Sequence, residues 1–265
     1  MRPPVPFGQY VPVDSPVHRL EARTKMALIA AFTTLLFASG SFTGLGVGVV
    51  LLGIAVGAAG VPVRLVVRGL RAISFLLIFT LLVHSLRWNP ATVSLLRVGP
   101  LAVDQAGLLT GIFFALRIVL LVVSTSLLTL TTSPVQLTDA LERLMAPLDK
   151  LRVPVGELAM MLTIALRFIP TTAEEAEKII VAQTARGARF SEGGPITRAR
   201  AYVPVLVPLF VNLFRRADEL ATAMDARCYR GGRHRTRLRT TRLRGVDWLV
   251  LFVGCTGMIA AGVLL

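Results

Sequence analysis

Few residues in this chain can do chemistry. Its 265 residues include two cysteines and three histidines. Cys228 lies in a basic stretch and Cys255 inside an apolar run, so no disulfide framework is expected. His18, His84 and His234 stand far apart with no His-Glu-x-x-His spacing, and the acidic residues form no intramembrane constellation. Neither a metal centre, nor a bound cofactor, nor a membrane-embedded enzyme follows from such a set. No Gly-x-x-x-x-Gly-Lys-Ser/Thr phosphate loop occurs, which leaves any ATP hydrolysis to other proteins. Residues 1–10 hold prolines and no apolar leader, so the first hydrophobic segment is expected to remain in the mature protein.

Apolar residues are what the chain has instead. They make up 54% of it, in long runs broken by basic clusters, and this composition reads as an all-α polytopic membrane protein. Lys and Arg number 29 against 15 Asp and Glu, a formal charge of +14. In a membrane protein such an excess marks cytoplasmic loops facing anionic lipid. The basic residues of 233–244 have no interleaved aromatics, which favours a membrane-surface patch over nucleic-acid binding.

Taken in order, a polar, turn-rich segment at 8–25 precedes two apolar runs, 26–39 and 42–59. Fourteen helical residues rise only about 21 Å against a hydrocarbon core of about 30 Å. The pair is therefore either two short or tilted spans or a hairpin that stops short. Gly44/Gly48 and Gly53/Gly57 give small-xxx-small spacings suited to close helix contact. Arg64, Arg68 and Arg71 fall on one helical face, predicting a segment at the cytoplasmic interface with its arginines reaching headgroups. A span at 72–86 leads to Trp88 and a turn. Residues 91–104 alternate like strands around Gly99-Pro100 and form the best external loop, and 105–131 is a long span with Arg117 near its middle. An ionisable group at that depth signals either function or packing against a polar partner. Beyond Thr132 the character changes. Ser133-Pro134 starts a helix, 137–145 is amphipathic, and Pro147 ends it. A final span is expected over 247–265.

Two helices, expected from 153 to 189 and from 197 to 230, organise the remainder. Each begins apolar, contains proline (Pro170; Pro204 and Pro208), turns charged, and stops at a short basic signature. The proline-rich half of the second, 202–214, suits an interfacial helix at least as well as a span. Glu174 and Lys178 sit at i, i+4 on the first helix, beside an apolar stripe of Ala173, Ala176, Ile180 and Ala182. The first signature is Ala185-Arg186-Gly187-Ala188-Arg189 and the second is Ala226-Arg227-Cys228-Tyr229-Arg230. The offset between them is 227 − 186 = 41, and it also pairs Glu177 with Asp218 and Ala182 with Ala223. One arginine at a helix end complements the dipole. That explanation does not account for the duplication, which suits two ends built to enter grooves and fork onto carboxylates.

At three places the chain resembles the transmembrane T component (EcfT) of energy-coupling factor transporters, related to the CbiQ and BioN proteins. These are 8–25, the run from Met161 through Arg167 and Pro170 into Ala185-Arg186-Gly187, and the run from Phe214 through Asp218 into 224–232. The resemblance covers nearly the whole chain. It implies a non-enzymatic scaffold in the cell membrane that couples two cytoplasmic ATPase subunits to a small membrane subunit binding a vitamin or transition-metal ion. It further implies that two long, crossed, partly cytoplasmic coupling helices end in Ala-Arg-x signatures docked in the ATPases, at Ala185, Arg186, Gly187 and Arg189 and at Ala226, Arg227, Cys228 and Arg230. Cysteine stands at 228 where the family pattern has glycine, which puts in question a left-handed backbone there. The implied organisation is a cytoplasmic segment and membrane bundle over 1–131, a cytoplasmic coupling region over 132–245, and a transmembrane helix over 246–265. A self-sufficient secondary transporter is the rival reading, and it would need no ATPase.

Overall fold

The computed structural model describes residues 10–88, 94–98, 101–190, 193–231 and 244–264. The described residues are overwhelmingly helical, as the composition predicts, and they fall into two compact units, one of residues 1–137 and 239–265 and one of 138–238.

In the first unit the order is α1 (Pro16–Arg19), α2 (Ala22–Ala38), α3 (Phe42–Ala59), α4 (Val63–Ala72), α5 (Ser74–Ser85), β1 (Leu86–Trp88), β2 (Ser94–Val98), β3 (Leu101–Asp104) and α6 (Gln105–Thr131). The strands form an antiparallel sheet in the order β1-β3-β2, with Leu86 opposite Val103 and Val98 opposite Leu101. β2 and β3 occupy the stretch expected to alternate, whereas β1 precedes it and takes Leu86 from the end of the expected span. Gly99 and Pro100, the expected turn, lie outside the described residues, as do Asn89 and Pro90.

The axis of this unit is α6, which touches α2, α3, α4 and α5. Its Leu120, Val123, Leu127 and Leu130 close a buried core with Phe32, Leu35 and Leu36 of α2 and Leu45 and Leu52 of α3. The approach of α5 demands glycine. A Cβ at Gly107 would meet the His84 carbonyl oxygen, and one at Gly111 would lie 3.2 Å from the Leu81 carbonyl oxygen.

Two cations fix how far the α2–α3 hairpin reaches. Lys25 Nζ donates to Thr131 O at 2.8 Å, and Arg117 donates to Ser39 O at 2.7 Å. The fourteen steps from Lys25 to Ser39 (39 − 25) thus match the fourteen from Arg117 to Thr131 (131 − 117). The apex of the hairpin therefore lies level with Arg117, about 18 Å short of the far end of α6. Arg117 owes its place to packing against polar and aromatic partners. It caps the carbonyl end of α2 and sits over the rings of Phe113, Phe37 and Phe114, at 4.6, 5.5 and 5.6 Å.

The three arginines of α4 are exposed while Val66 on its opposite side is buried. A 57° bend separates α4 from α5. At the other end of α6, His18 bridges the Ser15 hydroxyl and Val11 O, and Val11 N donates to Leu130 O. The last helix of this unit, numbered α11 in chain order (Gly245–Leu264), takes the place of the expected final span. Its buried Asp247 accepts from Glu21 N and Arg244 N, tying the start of α11 to the start of α2.

The second unit takes up α7 (Pro134–Met145), then α8 (Val155–Ala185), α9 (Pro195–Ala201) and α10 (Val203–Ala226). Ser133 and Gln136 cap α7 reciprocally: Gln136 N donates to Ser133 Oγ and Ser133 N to Gln136 Oε1. A 3₁₀ turn at Ala146–Leu151, carrying Pro147, follows α7 directly. The helix expected over 197–230 is two pieces that meet at Tyr202, because Pro204 has no N–H to continue the ladder. Pro170 and Pro208, in contrast, lie inside unbroken helices. By length and composition Phe42–Ala59, Gln105–Thr131 and Val155–Ala185 can each cross a membrane, and the bent α4–α5 pair is a fourth span if counted as one.

Candidate functional site: the paired helices and their ends

The two helices that carry the signatures lie side by side in the second unit. Arg216 reaches Thr171 at 3.4 Å and pairs with Glu175 at 3.3 Å; Asn212 donates to Glu175 at 2.7 Å; Gln183 donates to Pro204 O at 3.4 Å. Numbers rise along α8 as they fall along α10, so the helices run antiparallel over at least three turns. Glu175 is the hub, its carboxylate taking both Asn212 and Arg216. Sequence reasoning passed over it in favour of Glu174, Glu177 and Lys178. The missed signal was Asn212, a lone amide in an apolar run that needs a partner once packed. Glu174 and Lys178 are both exposed and form no ion pair with each other. Of the expected stripe, Ala173, Ala176 and Ile180 are half-buried and Ala182 is exposed.

Antiparallel pairing sends the two signatures to opposite ends. From Pro204, level with Gln183, to Arg227 is 227 − 204 = 23 residues, and Arg186 lies three residues beyond Gln183 on the other side, so the two ends stand about 39 Å apart along the pair.

The ends are built alike. Arg186 caps α8 at φ −84°, ψ 6°, and Arg227 caps α10 at φ −92°, ψ 11°. In the first, Gly187 N donates to Thr184 O and Ala188 N to Gln183 O, at 2.9 and 3.0 Å. In the second, Cys228 N donates to Asp225 O and Tyr229 N to Met224 O, at 2.9 and 3.1 Å. Both are the two-bond cap in which a left-handed residue reverses the chain and satisfies the last carbonyls. Gly187 takes that conformation at φ 90° and Cys228 at φ 56°. The left-handed backbone put in question by the cysteine is therefore present.

Each cap leaves its arginine standing clear. Ala185, Arg186, Gly187, Ala226, Arg227 and Cys228 are all exposed. Neither Arg186 nor Arg227 has an ion-pair partner among the described residues. Arg189 and Arg230 are also exposed. Two exposed guanidinium groups can each donate to a carboxylate in bidentate fashion.

On α10, the side away from α8 is apolar and uncovered within this unit. Val207, Phe210, Val211 and Phe214 are 52–69% exposed, and Met161 of α8 is 63% exposed. Among the described residues no group of three or more His, Cys, Asp or Glu side chains could hold a metal ion.

The family described as cobalt transport protein, CbiQ, matches residues 14–238. The chain is similar to the energy-coupling factor transporter transmembrane protein EcfT of Thermosediminibacter oceani, with 45% identity over 97% of this chain and 96% of that one. To the protein of the same description from Heliobacterium modesticaldum it is 46% identical over 93% of this chain and 92% of that one. To that of Bacillus subtilis it is 44% identical over 92% of each.

Proposed function

The chain belongs to the cobalt transport protein family that includes the energy-coupling factor transporter transmembrane proteins, and we propose that it is the subunit that joins two ATPases to a substrate-binding membrane protein. As a transmembrane component of such a transporter it is a multi-pass membrane protein. In our reading α8 and α10 form the coupling region, and each signature docks in one ATPase subunit through Arg186 or Arg227, with Arg189 and Arg230 beside them. The cargo is a vitamin or a transition-metal ion held by the third partner, and the chain itself catalyses nothing.

The observation that carries this reading is the pair of like-built caps, each presenting an exposed arginine, about 39 Å apart at opposite ends of one antiparallel helix pair. A dipole complement would need neither the repetition nor the spacing. Two separate sites on one rigid strut suit two copies of one kind of partner whose relative motion is to be transmitted. The uncovered apolar stripe from Val207 to Phe214 supports a seat for the substrate-binding subunit.

A photo-crosslinking residue placed at 186 and at 227 in the assembled transporter tests the docking. Each position is expected to capture an ATPase subunit, and a chain labelled at both is expected to capture two. Capture of one subunit from a single position only, with the other position facing solvent or lipid, would refute the two-ended arrangement.

A further inference from the structure

We infer that the first unit holds a binding site for one acyl chain of a phospholipid from the cytoplasmic leaflet. A cavity of about 450 Å³ lies within that unit, with walls from Leu28 and Phe32 of α2, Ala55 and Ala58 of α3, Leu127 of α6 and Val250 of α11. This volume falls in the range of small-molecule pockets.

The lining polar groups are turned away. Ser124 Oγ donates to Leu121 O and Thr131 Oγ1 to Leu127 O, while Lys25 Nζ is engaged by Thr131 O and Thr132 Oγ1. Water entering the space would find too few partners to hold it, so the cavity is dry. The space is half open, so an occupant can enter it from outside, and a group without hydrogen-bonding atoms suits its apolar lining. The occupant is therefore apolar. It is also slender and available at that depth. Along α2 the cavity wall runs from Lys25 to Phe32, seven residues or about 10 Å, and Val17 and Leu20 before that helix line it as well. An acyl chain from the surrounding leaflet meets both conditions.

The test uses the full chain reconstituted in vesicles of phosphatidylethanolamine and phosphatidylglycerol. A phosphatidylglycerol with a photoactivatable acyl chain is expected to label 28–32 and 55–58 saturably, in competition with unlabelled long-chain lipid and not with short-chain lipid. Labelling of the outward face of α5 is expected to rise without saturation. Native mass spectrometry of the extracted chain is expected to find one retained phospholipid, reduced about tenfold or more in Ala55→Phe and Ala58→Phe and unchanged in Ile78→Phe. Non-saturable labelling at the cavity, absence of a retained lipid, or undiminished retention in both filling variants would overturn the inference. So would a crosslink showing a partner's helix in the cavity. The labelling arm uses the unsubstituted chain, so it decides the matter even if a filling variant does not fold.

Discussion

Cys228 carries a cost that its counterpart avoids. A side chain in the left-handed region is disfavoured by roughly 1 kcal/mol or more relative to glycine, and Cys228 sits there at φ 56° where Gly187 has no such penalty. Cys228→Gly is therefore expected to stabilise the folded chain by about 1 kcal/mol, read as a rise in the thermal midpoint in a mild detergent. A fall would mean that the thiol makes a contact worth more than the strain. Arg117 is the opposite case, a side chain whose loss leaves others unsatisfied. Its guanidinium donates to Ser39 O at the hairpin apex, so Arg117→Met is expected to cost about 1–3 kcal/mol, with Arg117→Lys recovering part of it. Thermal unfolding of the three proteins checks this, and equal stability of Met and wild type would remove Arg117 from the apex. An ionisable residue at membrane depth was visible in the sequence; the carbonyl it would cap was not, because Ser39 is seventy-eight positions away.

At the scale of elements, α8 and α10 are held by one carboxylate shared between two partners. Glu175→Ala is expected to weaken the pairing by about 1–3 kcal/mol, and a double-mutant cycle with Asn212→Ala to show coupling of about 0.5–1.5 kcal/mol. Amide exchange along α10 reads out the loosening, and an additive cycle would contradict the hub. The helix ends were legible in the sequence because caps are local: small residue, arginine, then glycine or its substitute. The pairing of the helices was not, because it depends on which faces meet across a loop. Proline was legible only in part. Pro204 breaks the ladder at Tyr202, where α9 already ends, while α8 continues through Pro170, with Thr171 Oγ1 donating to Phe168 O in the adjoining turn. The hairpin of α2 and α3 could be measured for length in the sequence, but only the two cation contacts on α6 show where its apex stands.

For the whole molecule, the proposed orientation rests on where the arginines lie. A cysteine at position 94 is expected to react with a membrane-impermeant reagent from outside the cell only, and one in the basic stretch of 233–244 from the cytoplasm only. Reaction of position 94 from the cytoplasm would invert the topology. The proposed seat for a substrate-binding subunit is open to the same kind of test. Cysteines near Leu166 and Leu206, on the apolar parts of α8 and α10, are expected to crosslink to that subunit, and capture of lipid or ATPase alone would place the seat elsewhere. The central claim is that two arginines dock two ATPases. If each guanidinium forks onto a partner carboxylate, its truncation strands a charge and costs about 2–5 kcal/mol of that contact, against about 0.3–1 kcal/mol for a dipole complement. The most direct measurement is co-purification of the ATPases and substrate uptake with Arg186→Ala, Arg227→Ala and the double variant. The single variants are expected to assemble and transport poorly, and the double variant to lose the ATPases or to leave them hydrolysing ATP without uptake. Full assembly and undiminished uptake in the double variant would contradict the account.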